Sequence, residues 1–159
     1  MSVRTSAVVA IDASIDKVFD AAAAVTPSDI FQAHFPIPGV AACNGHAEPW
    51  SAIGETRELT LTDKSSVLEE LIAFTRASTF AYRVQGFVGL FGLLAREAKG
   101  EWHFTSLGEN KSQIDWTYSF SPTGPIAEPL LWFVVKLFWP RYQRAALKRI
   151  KSDIEAPAV

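Results

Sequence analysis

The sequence predicts an α+β domain in which a curved antiparallel sheet of about seven strands folds around one long C-terminal helix. Three features carry that expectation. Period-2 alternation with turn signals runs from Val40 to Ser121, a helical pattern fills almost everything after Pro125, and one strand with two short helices precedes both. The 159 residues fit a single domain, 1–159. A chain of that length buries roughly two-thirds of its unfolded surface without disulfide or metal staples.

The elements follow in order. Val3 to Ala13 alternates as a strand. Ser14 offers an N-cap, and Ile15, Val18 and Phe19 begin the apolar stripe of a first helix. Thr26 and Pro27 restart a second, short helix that the loop Phe35-Pro36-Ile37-Pro38-Gly39 stops. Six strands are expected between Val40 and Ser121. Gly54 to Thr62 and Ser66 to Phe74 form a hairpin across Asp63-Lys64, and Thr79 to Gln85 continues the meander. Gly86 to Leu94 is apolar, Gly-spaced and too irregular for a strand, so it is read as a loop. Ala95 to Ser106 and Ser112 to Ser121 make the last hairpin around Gly108-Glu109-Asn110. The final helix runs from Pro125 towards Pro157, with a kink expected at Pro140. At ~1.5 Å per residue it could reach ~45 Å, enough to cross a whole sheet.

Composition narrows the function. Hydrophobic residues make up 48% and aromatic residues 12%, so many rings must be buried or used in binding. A formal net charge of -2 lacks the basic excess of a nucleic-acid binder. Cys43 is the single cysteine, which excludes an internal disulfide and a cysteine metal cage. Met1 to Asp16 has no continuous apolar core and does not read as a signal peptide, so the expected location is cytoplasmic.

Strand parity sorts side chains into two faces. One face carries Leu59, Leu68, Ile72, Phe74, Phe80, Tyr82, Trp102, Phe104, Ile114, Trp116, Tyr118 and Phe120; the other carries Glu58, Thr60, Arg83, Gln85, Glu101, His103, Gln113, Asp115 and Thr117. In the last hairpin Phe104 is expected opposite Trp116 and Trp102 opposite Tyr118. The apolar wall is either simply the core beneath the long helix or, because one helix cannot cover so wide a sheet, also the wall of a cavity.

A two-residue Asp63-Lys64 turn pairs Leu59 with Leu68 and Arg57 with Glu70; a turn one residue longer puts Glu69 in that place. An unpaired charge on this wall would be expensive. The two residues therefore form a structural ion pair, a polar anchor for a ligand, or an acid/base pair. Tyr82 and Tyr118 are amphipathic donors on the same wall.

Other chemistry finds little support. His34, His46 and His103 are scattered singly, so no metal site is expected. There is no GxSxG elbow, Cys43 has no His in a recognised motif, and Gly86, Gly89 and Gly92 lack a phosphate-binding Lys. No cofactor is expected.

The last helix has two halves. After Pro140, Arg141, Arg144, Lys148, Arg149 and Lys151 complement the helix dipole, and Tyr142, Ala146, Ile150 and Ile154 form the inner stripe. Before Pro140 it is apolar nearly all round, broken only by Lys136. Leu130, Phe133, Val134 and Leu137 lie opposite the stripe Leu131, Val135, Phe138 and Tyr142. Ile126 to Trp139 is too short, and Lys136 too central, to span a bilayer. A second copy, the Phe87-to-Leu94 segment or lipid must cover this face.

The order of these motifs resembles the polyketide cyclase/dehydrase-like proteins of the START-related helix-grip (SRPBCC) superfamily. The resemblance rests on Ile11-Asp12-Ala13-Ser14-Ile15-Asp16-Lys17-Val18-Phe19-Asp20, Gly54-Glu55-Thr56-Arg57, Val67-Leu68-Glu69-Glu70-Leu71, Phe80-Ala81-Tyr82-Arg83-Val84, Gly100-Glu101-Trp102-His103-Phe104 and Ile114-Asp115-Trp116. It implies a hydrophobic cavity between sheet and helix for lipids, sterols, polyketides, plant hormones or quinones. It also places Phe31, His34 and Phe35, with Trp50, near one end of that cavity. Two departures stand out: the apolar character of Gly86 to Leu94 and the all-round apolar first half of the last helix. The expected function is binding or transport of a small hydrophobic ligand. The expected ligand contacts are Phe31, His34, Phe35, Trp50, Arg57, Glu70, Tyr82, Trp102, Trp116, Tyr118, Phe138 and Tyr142. The alternatives are a cyclase/dehydratase acting on a polyketide-like substrate and a membrane-surface lipid or quinone chaperone.

Overall fold

The computed structural model describes residues 2–45 and 49–157, so His46 lies outside the described residues. The chain runs β1 (Val3–Ile11), α1 (Ile15–Ala23), α2 (Pro27–Ile30), β2 (Val40–Gly45), β3 (Thr56–Leu61), β4 (Ser66–Thr75), β5 (Thr79–Gln85), α3 (Gly89–Leu94), β6 (Ala95–Gly108), β7 (Lys111–Pro122) and α4 (Glu128–Glu155). The strands form one antiparallel sheet in the order β1-β7-β6-β5-β4-β3-β2. This is the helix-grip architecture that the sequence predicts.

Local chemistry sets the boundaries. Ser14 caps α1, its hydroxyl accepting from the Lys17 N–H at 3.4 Å. Pro27 opens α2 at the position where its missing N–H costs nothing. α4 continues through Pro140 to Glu155. Its inner stripe, Leu131, Val135, Ala146, Leu147 and Ile150, is fully buried.

α4 lies along β1. Lys136 and Lys151 reach from the helix to the Arg4 and Ala10 carbonyls, supplying donors to the outer edge of β1. An open edge is a template for pairing with another chain, and two ammonium groups blunt it. Because the helix sits on this side, the β3–β4 side of the concave face lies beyond its reach.

Aromatic rings fill the middle. Trp102 stacks on Phe80 at 5.3 Å and on Trp116 at 4.7 Å. Tyr118 stacks on Phe120 at 5.1 Å, and Phe120 meets Trp139 of α4 edge-on at 4.6 Å. Phe19 of α1 closes one end against Phe74, Phe80 and Phe104.

Three registers differ from expectation. The β3–β4 loop has three residues, Thr62-Asp63-Lys64, closed by Leu61 N–H donating to the Ser65 carbonyl at 2.8 Å. Lys64 adopts φ 72°, and the Asp63 carboxylate accepts from the Ser65 N–H at 2.9 Å. Asp-Lys suits a two-residue turn poorly, since both positions would need positive φ; one left-handed residue and an Asx bond solve the same problem. Arg57 therefore pairs with Glu69 and Leu59 with Val67.

A bulge between Leu71 and Ala73 then flips parity within β4. Before it, the shifted turn puts Leu71 in, fully buried, and Leu68 out, exposed; after it, Phe74 is back on the inner side against Phe19. Ile72 is the extra residue of the bulge. In the last hairpin Trp102 faces Trp116 and Phe104 faces Ile114, two residues from the expected register, which leaves parity unchanged. Gly86 to Leu94 is not a loop throughout, because Gly89–Leu94 forms the short helix α3.

Candidate functional site

A recess of about 440 Å³ lies over the part of the sheet that α4 does not cover. β3, β4 and β5 provide its floor through Leu59, Leu61, Val67, Glu69 and Val84. Val88, just before α3, and Leu90, Phe91 and Leu94 of α3 form one side; α4 provides Val134, Phe138, Trp139 and Tyr142. Phe31 and the segment Pro36 to Pro38 close another side. Most of these groups are apolar.

The polar exceptions are Asp63 and Ser65 at the β3–β4 turn, Glu69, Tyr118 and Tyr142. Arg57 Nε donates to Glu69 Oε2 at 2.7 Å, with both side chains buried. The Arg57 guanidinium also lies 4.2 Å from the centre of the Trp50 ring, a cation–π contact behind the pair. Burial pushes the Glu69 carboxyl above the usual carboxylate range, and the opposing pull of Arg57 is the smaller effect. Tyr118 and Tyr142 also line the recess. Burial, reinforced by the charge on Glu69, pushes both phenols up, so at neutral pH they are neutral donors. Tyr82 behaves the same way, and its hydroxyl accepts from Trp102 Nε1 at 3.4 Å. The indole N–H of Trp139 is buried and has no hydrogen-bond partner among the described residues.

The residues singled out in the sequence divide into three groups. Phe31, Tyr118, Phe138 and Tyr142 line the recess. Arg57, Trp50, Tyr82, Trp102 and Trp116 are buried behind it: Arg57 and Trp50 support Glu69, and the others belong to the aromatic core. Glu70, His34 and Phe35 lie elsewhere. Glu70 is on the convex face with its carboxylate 4.0 Å from Arg83, a consequence of the three-residue turn. His34 borders a separate, polar recess with Gln32, Lys148 and Arg149 on the far side of Tyr142. Phe35 is 96% exposed, because it sits in the tight loop that closes by reciprocal backbone bonds between His34 and Ile37.

Sequence reasoning gave Glu69 only as the alternative to Glu70 that a longer turn would place here, and missed Val67, Leu61, Phe91 and Trp139. The Asp-x-Ser pattern at Asp63 to Ser65 was a readable signal for the first three, because it favours an Asx turn over a two-residue hairpin. For Phe91 the signal was the apolar run itself. No group of three or more His, Cys, Asp or Glu that could hold a metal occurs among the described residues. Cys43 is partly buried, and desolvation raises its thiol pKa, the reverse of an activated nucleophile.

Comparison with known proteins agrees with this geometry. Solved structures of the same fold include truncated norcoclaurine synthase from Thalictrum flavum, with a TM-score of 0.72, 13% identity and coverage of 99% of this chain and 96% of that one. The Zhui aromatase/cyclase from Streptomyces sp. R1128 gives 0.70 at 18% identity, covering 98% and 94%. Major latex-like protein 151 from Panax ginseng gives 0.64 at 13% identity, covering 98% and 99%. At such identities the likeness is one of fold. No curated protein matches the chain in sequence. A family profile described as polyketide cyclase / dehydrase and lipid transport, however, matches residues 2–155. Matched over nearly its whole length and folded as a sheet gripping a C-terminal helix, the chain belongs to that polyketide cyclase/dehydrase and lipid transport family.

Proposed function

We propose that the chain binds or carries a small, mainly apolar molecule in the recess bounded by β3–β5, α3 and α4. The observation that carries this reading is the recess itself: about 440 Å³ of largely apolar wall, interrupted by Glu69 with Arg57 behind it. Pockets that enclose small molecules have this size and this ratio of apolar to polar wall. The apolar body of a ligand would lie between Leu59, Val67, Phe138 and Phe91. Its polar end would meet the Glu69 carboxyl or the Tyr118 and Tyr142 hydroxyls, all held neutral or protonatable by burial.

A second reading follows from one further fact. A carboxyl held above its ordinary pKa inside an apolar recess keeps its proton to higher pH than a free carboxylic acid and can donate it, which suits a cyclase or dehydratase on a polyketide-like substrate. Two of the structural neighbours are named as an aromatase/cyclase and a synthase. Glu69→Gln separates the readings, since it keeps a hydrogen-bonding group but removes the proton donor.

Titration with the neutral fluorescent probe N-phenyl-1-naphthylamine tests occupancy directly. Saturable enhancement is expected for the natural chain. Leu61→Trp, which puts a larger ring at a half-buried wall position of the recess, should abolish it while the melting temperature holds. Equal probe binding by both proteins would place the probe elsewhere.

A further inference from the structure

The outward face of α4 changes character along its length. Leu130, Phe133 and Leu137 are 50–56% exposed. The same line continues at helical spacing through Arg141, Arg144 and Lys148, all exposed. Between Pro129 and Ser152 the helix carries Lys136, Arg141, Arg144, Lys148, Arg149 and Lys151 and no carboxylate, in a chain whose net charge is -2.

α3 extends the apolar half. Val88, Leu90 and Leu93 are 61–71% exposed, and Phe91 stacks on Trp139 of α4 at 5.4 Å. Val88 and Leu90 border the same recess as Val134 and Phe138. The exposed apolar side chains of the two helices therefore flank one rim, and the cations begin one turn beyond it. An apolar patch of this kind on a water-facing surface marks an interaction site.

We infer that this face docks on an anionic lipid bilayer, with Leu90, Leu93, Leu130, Phe133 and Leu137 entering the acyl boundary and Arg141, Arg144 and Lys148 lying over the headgroup phosphates. Charge selects this occupant. A second copy packed on the apolar half would find no carboxylate on the opposing face to receive these cations, whereas a layer of anionic headgroups matches all of them. No helix among the described residues is long and apolar enough to cross a membrane, so the contact lies along the surface. The surface stands independently of whether the recess holds a ligand, and its test reads membrane association alone.

The test is co-sedimentation of the full chain with phosphatidylcholine vesicles, with and without phosphatidylglycerol, at low and raised salt. The chain should pellet with the mixed vesicles, weakly with phosphatidylcholine alone, and less as salt rises. The triple variant Arg141→Gln/Arg144→Gln/Lys148→Gln should lose on the order of 100-fold in affinity for the mixed vesicles. Phe133→Glu/Leu137→Glu should lose binding to both. Each variant should keep the natural melting temperature, since all five side chains are exposed. A chain that stays in the supernatant with both vesicles, or variants that pellet as the natural chain does, would overturn the inference. So would a dimer on size exclusion that Phe133→Glu/Leu137→Glu converts to monomer, which would make a second copy the occupant.

Discussion

Replacing Glu69 by alanine is expected to destabilise the fold by roughly 3–5 kcal/mol, because it strands the buried Arg57 guanidinium without its counter-charge. Replacing Arg57 by methionine should cost less. Glu69 left alone can take up a proton and become neutral, which arginine cannot do. Glu69→Gln should fall between, since its amide oxygen still accepts from Arg57 Nε. The double variant Arg57→Met/Glu69→Leu should recover most of the loss, as buried ion pairs exchanged for apolar groups commonly do. Urea unfolding of the four variants gives the comparison.

The pair also has a pH signature. The folded state holds the Glu69 proton more tightly than the unfolded chain does, because burial raises the folded pKa. Its contribution to stability is therefore fully present below the ordinary carboxylate pKa and is lost as pH rises through the raised folded value. Glu69→Gln should flatten that part of the stability profile, from the ordinary carboxylate pKa upward.

The second large effect is expected at Gly100. This residue lies between Tyr82 on β5 and Tyr118 on β7, and the Tyr82 ring lies across its Cα. An added Cβ would sit 2.5 Å from Tyr82 Cζ. The ring is buried and held by the Trp102 indole, so it has nowhere cheap to go. Gly100→Ala should cost about 1–3 kcal/mol, as overpacking of a tight core does. Tyr82→Leu removes the clashing end of the ring. In a double-mutant cycle Gly100→Ala/Tyr82→Leu should lose clearly less than the sum of the single losses. Strict additivity would mean that the ring and the glycine do not meet.

How far the sequence carried the account is visible in particular residues. The concave wall was legible because period-2 patterning is insensitive to a two-residue error. Trp102 and Trp116 face inward whether they oppose each other or are offset by two positions. The polar anchor was less legible because parity is unforgiving of one. A single extra turn residue, Thr62, exchanged Glu70 for Glu69 and Ile72 for Leu71, and the bulge at Ile72 then returned Phe74 to the inner face. Bulges leave little trace in one sequence, as they depend on how neighbouring strands meet.

The recess boundary was hidden for a different reason. Trp102, Trp116 and Tyr82 have the chemistry of a binding wall, yet α4 leans towards β1 and their rings are consumed in packing within the core, the two indoles stacked and Tyr82 edge-on to Tyr118. The open part of the concave face falls instead over Val67 and Leu61, ordinary aliphatic residues with no distinguishing pattern. The Gly86-to-Leu94 segment was read as an apolar anomaly, which its helix α3 and its position at the rim now explain.

Native mass spectrometry of the chain as purified bears most directly on the proposed function. The natural chain should appear partly as a species heavier than its 17.5 kDa polypeptide by one small molecule. That adduct should disappear on unfolding and be absent from folded Leu61→Trp. An unadorned mass for the natural chain, joined by failure of both proteins to take up N-phenyl-1-naphthylamine, would contradict a ligand-holding recess. So would an adduct that Leu61→Trp retains in full.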